Sequence, residues 1–147
     1  MNLKYYYWYF QSVIPERICD EIIRYGKEQD KEMALTGSGN KDNLTKLELK
    51  NIQKKRKSDV VWMNDRWIYK EIQPYIHQAN ASADWNFEWD FSESCQFTEY
   101  KKGQFYDWHC DSYEEPYNHP ENDNTHGKLR KLSMTVSLTD PEEYEGG

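Results

Sequence analysis

The chain has 147 residues, enough for one domain with a real hydrophobic core. Its 26 acidic and 19 basic residues give a net charge of −7, which argues against a general nucleic-acid binder. No run approaches the ~20 apolar residues of a membrane span, and the opening MNLKYYYWYF lacks the charged, apolar and small-residue regions of a signal peptide.

Charge is unevenly spread: residues 1–83 lean basic, whereas 84–147 are strongly acidic and would repel phosphates and welcome cations. Hydrophobic content of 37% and a mean hydropathy of −1.12 lean toward disorder. The 12 Tyr, 6 Trp and 5 Phe pull the other way, toward a sheet protein whose core is built from large amphipathic rings. Three cysteines, Cys19, Cys95 and Cys110, are an odd number without CxxC spacing. Neither a disulfide framework nor a zinc ribbon is indicated, and a reduced, cytoplasmic setting is expected.

Residues 5–11 (YYYWYFQ) predict a first strand. Pro15 suits the opening turn of a helix over roughly 15–29, in which Ile18, Ile22 and Ile23, with Tyr25 beside them, form an apolar stripe. Residues 37–51 read as a polar loop. The KKRK run at 54–57 reads as a solvated face, the alternative being a grip on an acidic substrate or a nucleic-acid backbone. It leads into a short strand, SDVVWM. Asn64 then caps a helix over 65–80 with Trp67, Ile68, Ile72, Tyr75 and Ile76 on one side, and Pro74 predicts a kink or two shorter helices. From Trp85 the period becomes strand-like, through WNFEWDF, CQFTEY, QFYDWHCD and LRKLSMTVSL. With no repeat and no low-complexity linker, a single domain over 1–147 is expected. Helices followed by strands predict an α+β fold with an antiparallel sheet or barrel.

The sharpest chemical signal is His109-Cys110-Asp111. On a strand, alternate side chains share a face, so His109 and Asp111 would converge while Cys110 faces away. An imidazole and a carboxylate so placed are two thirds of a 2-His-1-carboxylate triad for Fe(II). The bare triplet is a weak signal, because any His and Asp can fall two apart. Cys95, Cys110 and His109 offer a zinc alternative, which strand alternation disfavours. Tyr100 and Tyr106 read on composition as strand aromatics, His119 and His126 as solvated loop residues, and Arg130 as an ion-pair partner within the acidic half. Loop 112–129 is longer than usual and suits either a lid or a disordered segment.

Around the triplet stand Tyr100, Gly103, Tyr106, His109 and Asp111, then Arg130-x-x-Ser133, then Asp140-Pro141-x-x-Tyr144-x-Gly146-Gly147. In this order and spacing, with RKSDVVWM and the HQAN helix end upstream, the chain resembles the prolyl-4-hydroxylase-like branch of the Fe(II)/2-oxoglutarate dioxygenases, the PKHD-type hydroxylases above all. The resemblance implies a double-stranded β-helix (jelly-roll) core with N-terminal helices packed on one sheet. It implies hydroxylation of a C–H bond, as in peptidyl proline, with 2-oxoglutarate converted to succinate and CO2. His109 and Asp111 would be metal ligands and the catalytic centre, Tyr100 a co-substrate contact, and Fe(II), 2-oxoglutarate and ascorbate the cofactors. A peptide or protein substrate is expected, with no membrane partner and no nucleic acid. The chain departs from the pattern at one point. In the family a second iron histidine lies tens of residues past the Gly-Gly turn, followed by an Arg or Lys that pairs with 2-oxoglutarate, whereas His77, His119 and His126 all precede that turn. The expectation is therefore a barrel incomplete in this chain, lacking its C-terminal strands, inactive alone, and prone to self-association through open sheet edges. The alternative is a non-catalytic metal-binding or interaction module on a partial jelly roll, and a weaker one a cupin-type zinc protein.

Overall fold

The computed structural model describes residues 3–33, 45–112 and 114–145. After a short 3-10 turn at Leu3–Tyr5, helix α1 runs Glu16–Glu28. Pro15 stands just before it, and its carbonyl accepts from the amides of Ile18 (2.8 Å) and Cys19 (3.2 Å). Ile18, Ile22 and Gly26, four residues apart, form the buried stripe, with Ile23 only half-buried beside it. Residues 5–11 form no strand: Tyr5, Tyr6 and Tyr9 are 65%, 70% and 73% exposed, and among the described residues no strand pairs with them.

The expected polar loop over 37–51 is corrected in its second half, where helix α2 spans Lys46–Lys55. The missed signal is a capping box, in which the Glu48 amide donates to Thr45 Oγ1 (3.3 Å) and the Thr45 amide donates to the Glu48 carboxylate (2.8 Å). Residues 37–44 lie outside the described residues. Helix α3, Arg66–Ser82, has Asp65 rather than Asn64 at its N-cap position, without a side-chain capping bond, and passes through Pro74 as one element. Pro74 is exposed, so the carbonyl it leaves without a helix partner can turn to water. None of these helices is long and apolar enough to cross a membrane.

Five strands lie among the described residues: β1 Glu32–Met33, β2 Arg56–Lys57, β3 Asp59–Met63, β4 Cys95–Glu99 and β5 Phe105–Tyr106. They make two small antiparallel sheets, one ordered β1-β3-β4 and the other β2-β5. In the first, Val61 faces Phe97 and Met63 faces Cys95; in the second, Arg56 faces Tyr106. The α+β class holds, and the described residues contain no closed barrel. The segments WNFEWDF and LRKLSMTVSL are not strands. Their alternation supplies a face, but a strand also needs a hydrogen-bonded neighbour, and none pairs with them among the described residues.

The chain divides into two compact units, each assembled from separated stretches. The first comprises Met1–Arg24, Asn64–Glu93 and Cys110–Gly147, the second Tyr25–Met63 and Ser94–His109. The first buries Ile18, Ile22, Ile68 and Ala83, and the second buries Val60, Val61, Met63 and Phe97. Only one aromatic ring belongs to this set, which corrects the ring-built core expected from composition. Each fully buried aliphatic or Phe side chain stabilises by about 1.5–3 kcal/mol.

In the second unit Gly26 lies under Phe97. A Cβ there would sit 2.6 Å from the ring, far inside contact distance. Gly26→Ala would gain about 1 kcal/mol of helix propensity but overpack a stiff buried ring, a cost of about 1–3 kcal/mol. A lower chemical-denaturation midpoint is expected, and a raised midpoint would show that the ring yields freely. In the first unit Asn80, at the end of α3, organises the following turn. Its amide donates to the Phe87 carbonyl (2.9 Å) and accepts from the Phe87 amide (3.0 Å), while its own carbonyl takes the Trp85 amide (3.0 Å). Asn80→Ala strands both Phe87 groups, so a loss of about 1–3 kcal/mol is expected. Hydrogen exchange at Phe87 as slow as in the wild type would count against this account.

Candidate functional site

The expected strand through QFYDWHCD ends at Tyr106, so His109, Cys110 and Asp111 lie on irregular backbone and the two-residue alternation does not govern them. Local bonding accounts for the break. Asp107 turns its carboxylate onto the Trp108 amide (2.8 Å), and its carbonyl is 2.8 Å from His109 Nδ1. Such side-chain bonds compete with a ladder. The boundary between the two units falls between His109 and Cys110, so the two expected iron ligands are described each within its own unit.

In the second unit, β2 and β5 position His109 through Tyr106. The imidazole stacks on the Tyr106 ring with centroids 3.5 Å apart and planes inclined by 16°. The Arg56 guanidinium also lies against that ring, 4.4 Å from its centroid. If Nδ1 donates to the Asp107 carbonyl, a neutral His109 carries its lone pair on Nε2, the arrangement usual for a histidine that ligates through Nε2. Tyr100 directly follows β4 and is half-exposed.

In the first unit, a relay of contacts leads from α3 to Asp111. Tyr69 donates its hydroxyl to the Glu93 carbonyl (3.0 Å), and Gln73 donates to Ser92 (3.1 Å), fixing the segment that carries Glu93. The Glu93 carboxylate takes two bonds from Arg130, from Nε at 2.6 Å and Nη2 at 2.5 Å. This fork-to-fork pairing is the strongest ion-pair geometry available to a guanidinium, and it raises the already high pKa of Arg130. Arg130 was expected to pair within the acidic half, and Glu93 is the partner. The remaining Arg130 nitrogen, Nη1, donates to the Asp111 carbonyl (2.7 Å). Ser133 donates its hydroxyl to the Asp111 carboxylate. Arg130 and Ser133 thus hold the main chain and the side chain of one aspartate.

Loop 112–129 closes on itself, with Tyr117 and Lys128 paired through backbone (3.0 Å) and Gly127 returning a bond to Tyr117 (2.9 Å). Gly127 has φ +72°, a conformation glycine adopts without strain. His119 lies 3.3 Å from the Glu121 carboxylate, and His126 is exposed. Asp140 caps the short turn Pro141–Glu143 through the Glu142 amide (2.9 Å). Gly146 and Gly147 lie outside the described residues.

Among the described residues, no three or more His, Cys, Asp and Glu side chains gather into a group able to hold a metal ion. Taken singly, His109 and Asp111 fit ligand roles: one has its Nδ1 against a backbone carbonyl and the other has its carboxylate oriented by a hydroxyl. No protein-family model, no curated protein and no solved structure matches the chain. Glu93 escaped the sequence reading because nothing in FSESCQ marks it. Arg56 belongs to the KKRK run expected as a solvated face, and it is instead one of three buried polar residues among those described. Its signal was present: Arg56, Ser58 and Val60 alternate inward at a spacing of two.

Proposed function

We propose that the chain is the metal-entry part of an Fe(II)- and 2-oxoglutarate-dependent hydroxylase acting on a peptidyl residue such as proline. His109 and Asp111 are its iron ligands and Tyr100 is its co-substrate contact. The observation that carries this reading is the convergence of Arg130 and Ser133 on Asp111. These residues lie 19 and 22 positions further along the chain, and they are the very positions at which the sequence resembles such enzymes. A carboxylate that must hold one geometry at a metal needs such outer partners.

Within this reading the jelly-roll core is likewise a proposal, of which the two small sheets form part. The chemistry supplied by bound iron is oxidation: 2-oxoglutarate and O2 give succinate and CO2, and one oxygen atom enters a substrate C–H bond. The chain's own residues do the holding. Ser133 orients the Asp111 carboxylate, Arg130 fixes its backbone, and Tyr106 supports the His109 ring.

Anaerobic calorimetry with Fe(II) tests the ligands directly. Two ligands of a facial triad give weak binding to these 147 residues, and His109→Ala or Asp111→Ala is expected to remove it. Fe(II) affinity untouched by either substitution would overturn the assignment. The absence of a three-donor group among the described residues favours a second reading, a non-catalytic metal-binding or interaction module. It predicts iron or zinc binding with no 2-oxoglutarate turnover in any protein containing the chain.

A further inference from the structure

We infer that the second unit carries a carboxylate-binding site centred on Arg56. The inference stands apart from the iron reading. Arg56 is only 5% exposed, and its Nη2 is buried without a hydrogen-bond partner among the described residues. Its other contacts are neutral: Nε donates to Ser58 Oγ (2.9 Å), Nη1 donates to Gln96 Oε1 (3.3 Å), and the guanidinium lies over the Tyr106 ring. No described carboxylate pairs with it. A buried cation without a counter-ion is costly, and the usual resolution of an orphaned buried donor is a bound water or ion.

A cavity of about 250 Å³ is lined by Gln53, Arg56, Lys57, Ser58, Asp59 and Gln104, and because Nη2 itself has almost no accessible surface, a ligand oxygen reaches it only with a shift of the side chains packed against it. The volume lies below the 300–1,000 Å³ usual for larger ligands, so it suits a small acid or a single side chain. Two cations against the one carboxylate of Asp59 leave a single positive charge on the lining. The lining therefore favours an anion, and Asp59, which also pairs with Lys101 (3.8 Å), limits the negative charge it accepts. A guanidinium presents its donors in a planar fork that complements a planar carboxylate. Gln53, Lys57 and Gln104 can donate to the same oxygens from the rim. The ligand is therefore a carboxylate, either free in a small acid or carried on an acidic peptide side chain.

The test uses the whole chain with four probes: succinate, inorganic phosphate, a short blocked peptide containing Glu, and the same peptide with Gln. Thermal shift and calorimetry are expected to show saturable binding of succinate, of the Glu peptide, or of both, and none of the Gln peptide. Whichever binds identifies the source. Arg56→Met should weaken binding more than about tenfold, since a lost charge-assisted bond exceeds the ~1.4 kcal/mol that a factor of ten requires. Because Arg56 is buried and its replacement can unfold the unit, Lys57→Ala provides an exposed variant, expected to bind several-fold more weakly with an unchanged melting temperature. The proposal is overturned if neither carboxylate probe saturates on the folded wild type. It is also overturned if phosphate binds more tightly than succinate, or if Lys57→Ala and a folded Arg56→Met both bind as the wild type does.

Discussion

His109→Ala is expected to reduce 2-oxoglutarate-dependent succinate formation by more than about 100-fold in a longer protein that contains this chain and turns 2-oxoglutarate over. The figure follows from where the residue stands in the proposed site. Removing a partner that merely orients a ligand costs about 10–100-fold in metal affinity or activity, and removing the ligand itself costs more. The imidazole has a second attachment, its stack on Tyr106, and alanine loses that as well. His109→Gln therefore serves as a companion, since it keeps side-chain bulk and a weaker donor while losing the imidazole. Cys110→Ser, at the exposed neighbour, should leave turnover unchanged. Quantified succinate with a peptide substrate is the readout. Equal turnover in the wild type and His109→Ala would remove the iron role from this histidine and the hydroxylase reading with it.

Ser133→Ala should weaken Fe(II) binding by about 10–100-fold while leaving the fold in place. Ser133 is exposed, so little packing is lost. What goes is the hydroxyl that selects one orientation of the Asp111 carboxylate. A metal-bound carboxylate with freedom to rotate must give up that freedom on binding, and the lost entropy appears as affinity. Ser133→Thr, which keeps the hydroxyl, should restore most of the binding. This rescue separates positioning from general stability, because both variants should melt within about 1 kcal/mol of the wild type, as exposed substitutions usually do. Identical iron affinity in Ser133→Ala and the wild type would show that the contact does not serve a metal.

Sequence periodicity found the features that a single segment determines. The Ile18–Ile22 stripe, the helix carrying Ile68 and the strands DVVWM and CQFTE all appear where local spacing places them. It failed where the outcome depended on a distant partner. WNFEWDF and LRKLSMTVSL have strand-like alternation, yet a strand exists only when a second backbone accepts its hydrogen bonds, and alternation says nothing about that. Helix α2 was hidden by its polar composition, and only the Thr45–Glu48 pair marked its start. In the candidate site, Asp111 could be singled out by its two-residue spacing from His109. Glu93 could not, because its role exists only through Arg130, 37 positions away.

The interleaved make-up of the two units also fixes an order of events during synthesis. The second unit has all of its strands once His109 has left the ribosome, whereas the first lacks the stretch that begins at Cys110. Chains emerge at about 5–20 residues per second, so Asp111 meets Ser133 at least about a second after the sheets can close. Until then Glu93 stands without Arg130, its carboxylate open to whatever is nearby. A ribosomal pause after residue 109 would lengthen that interval.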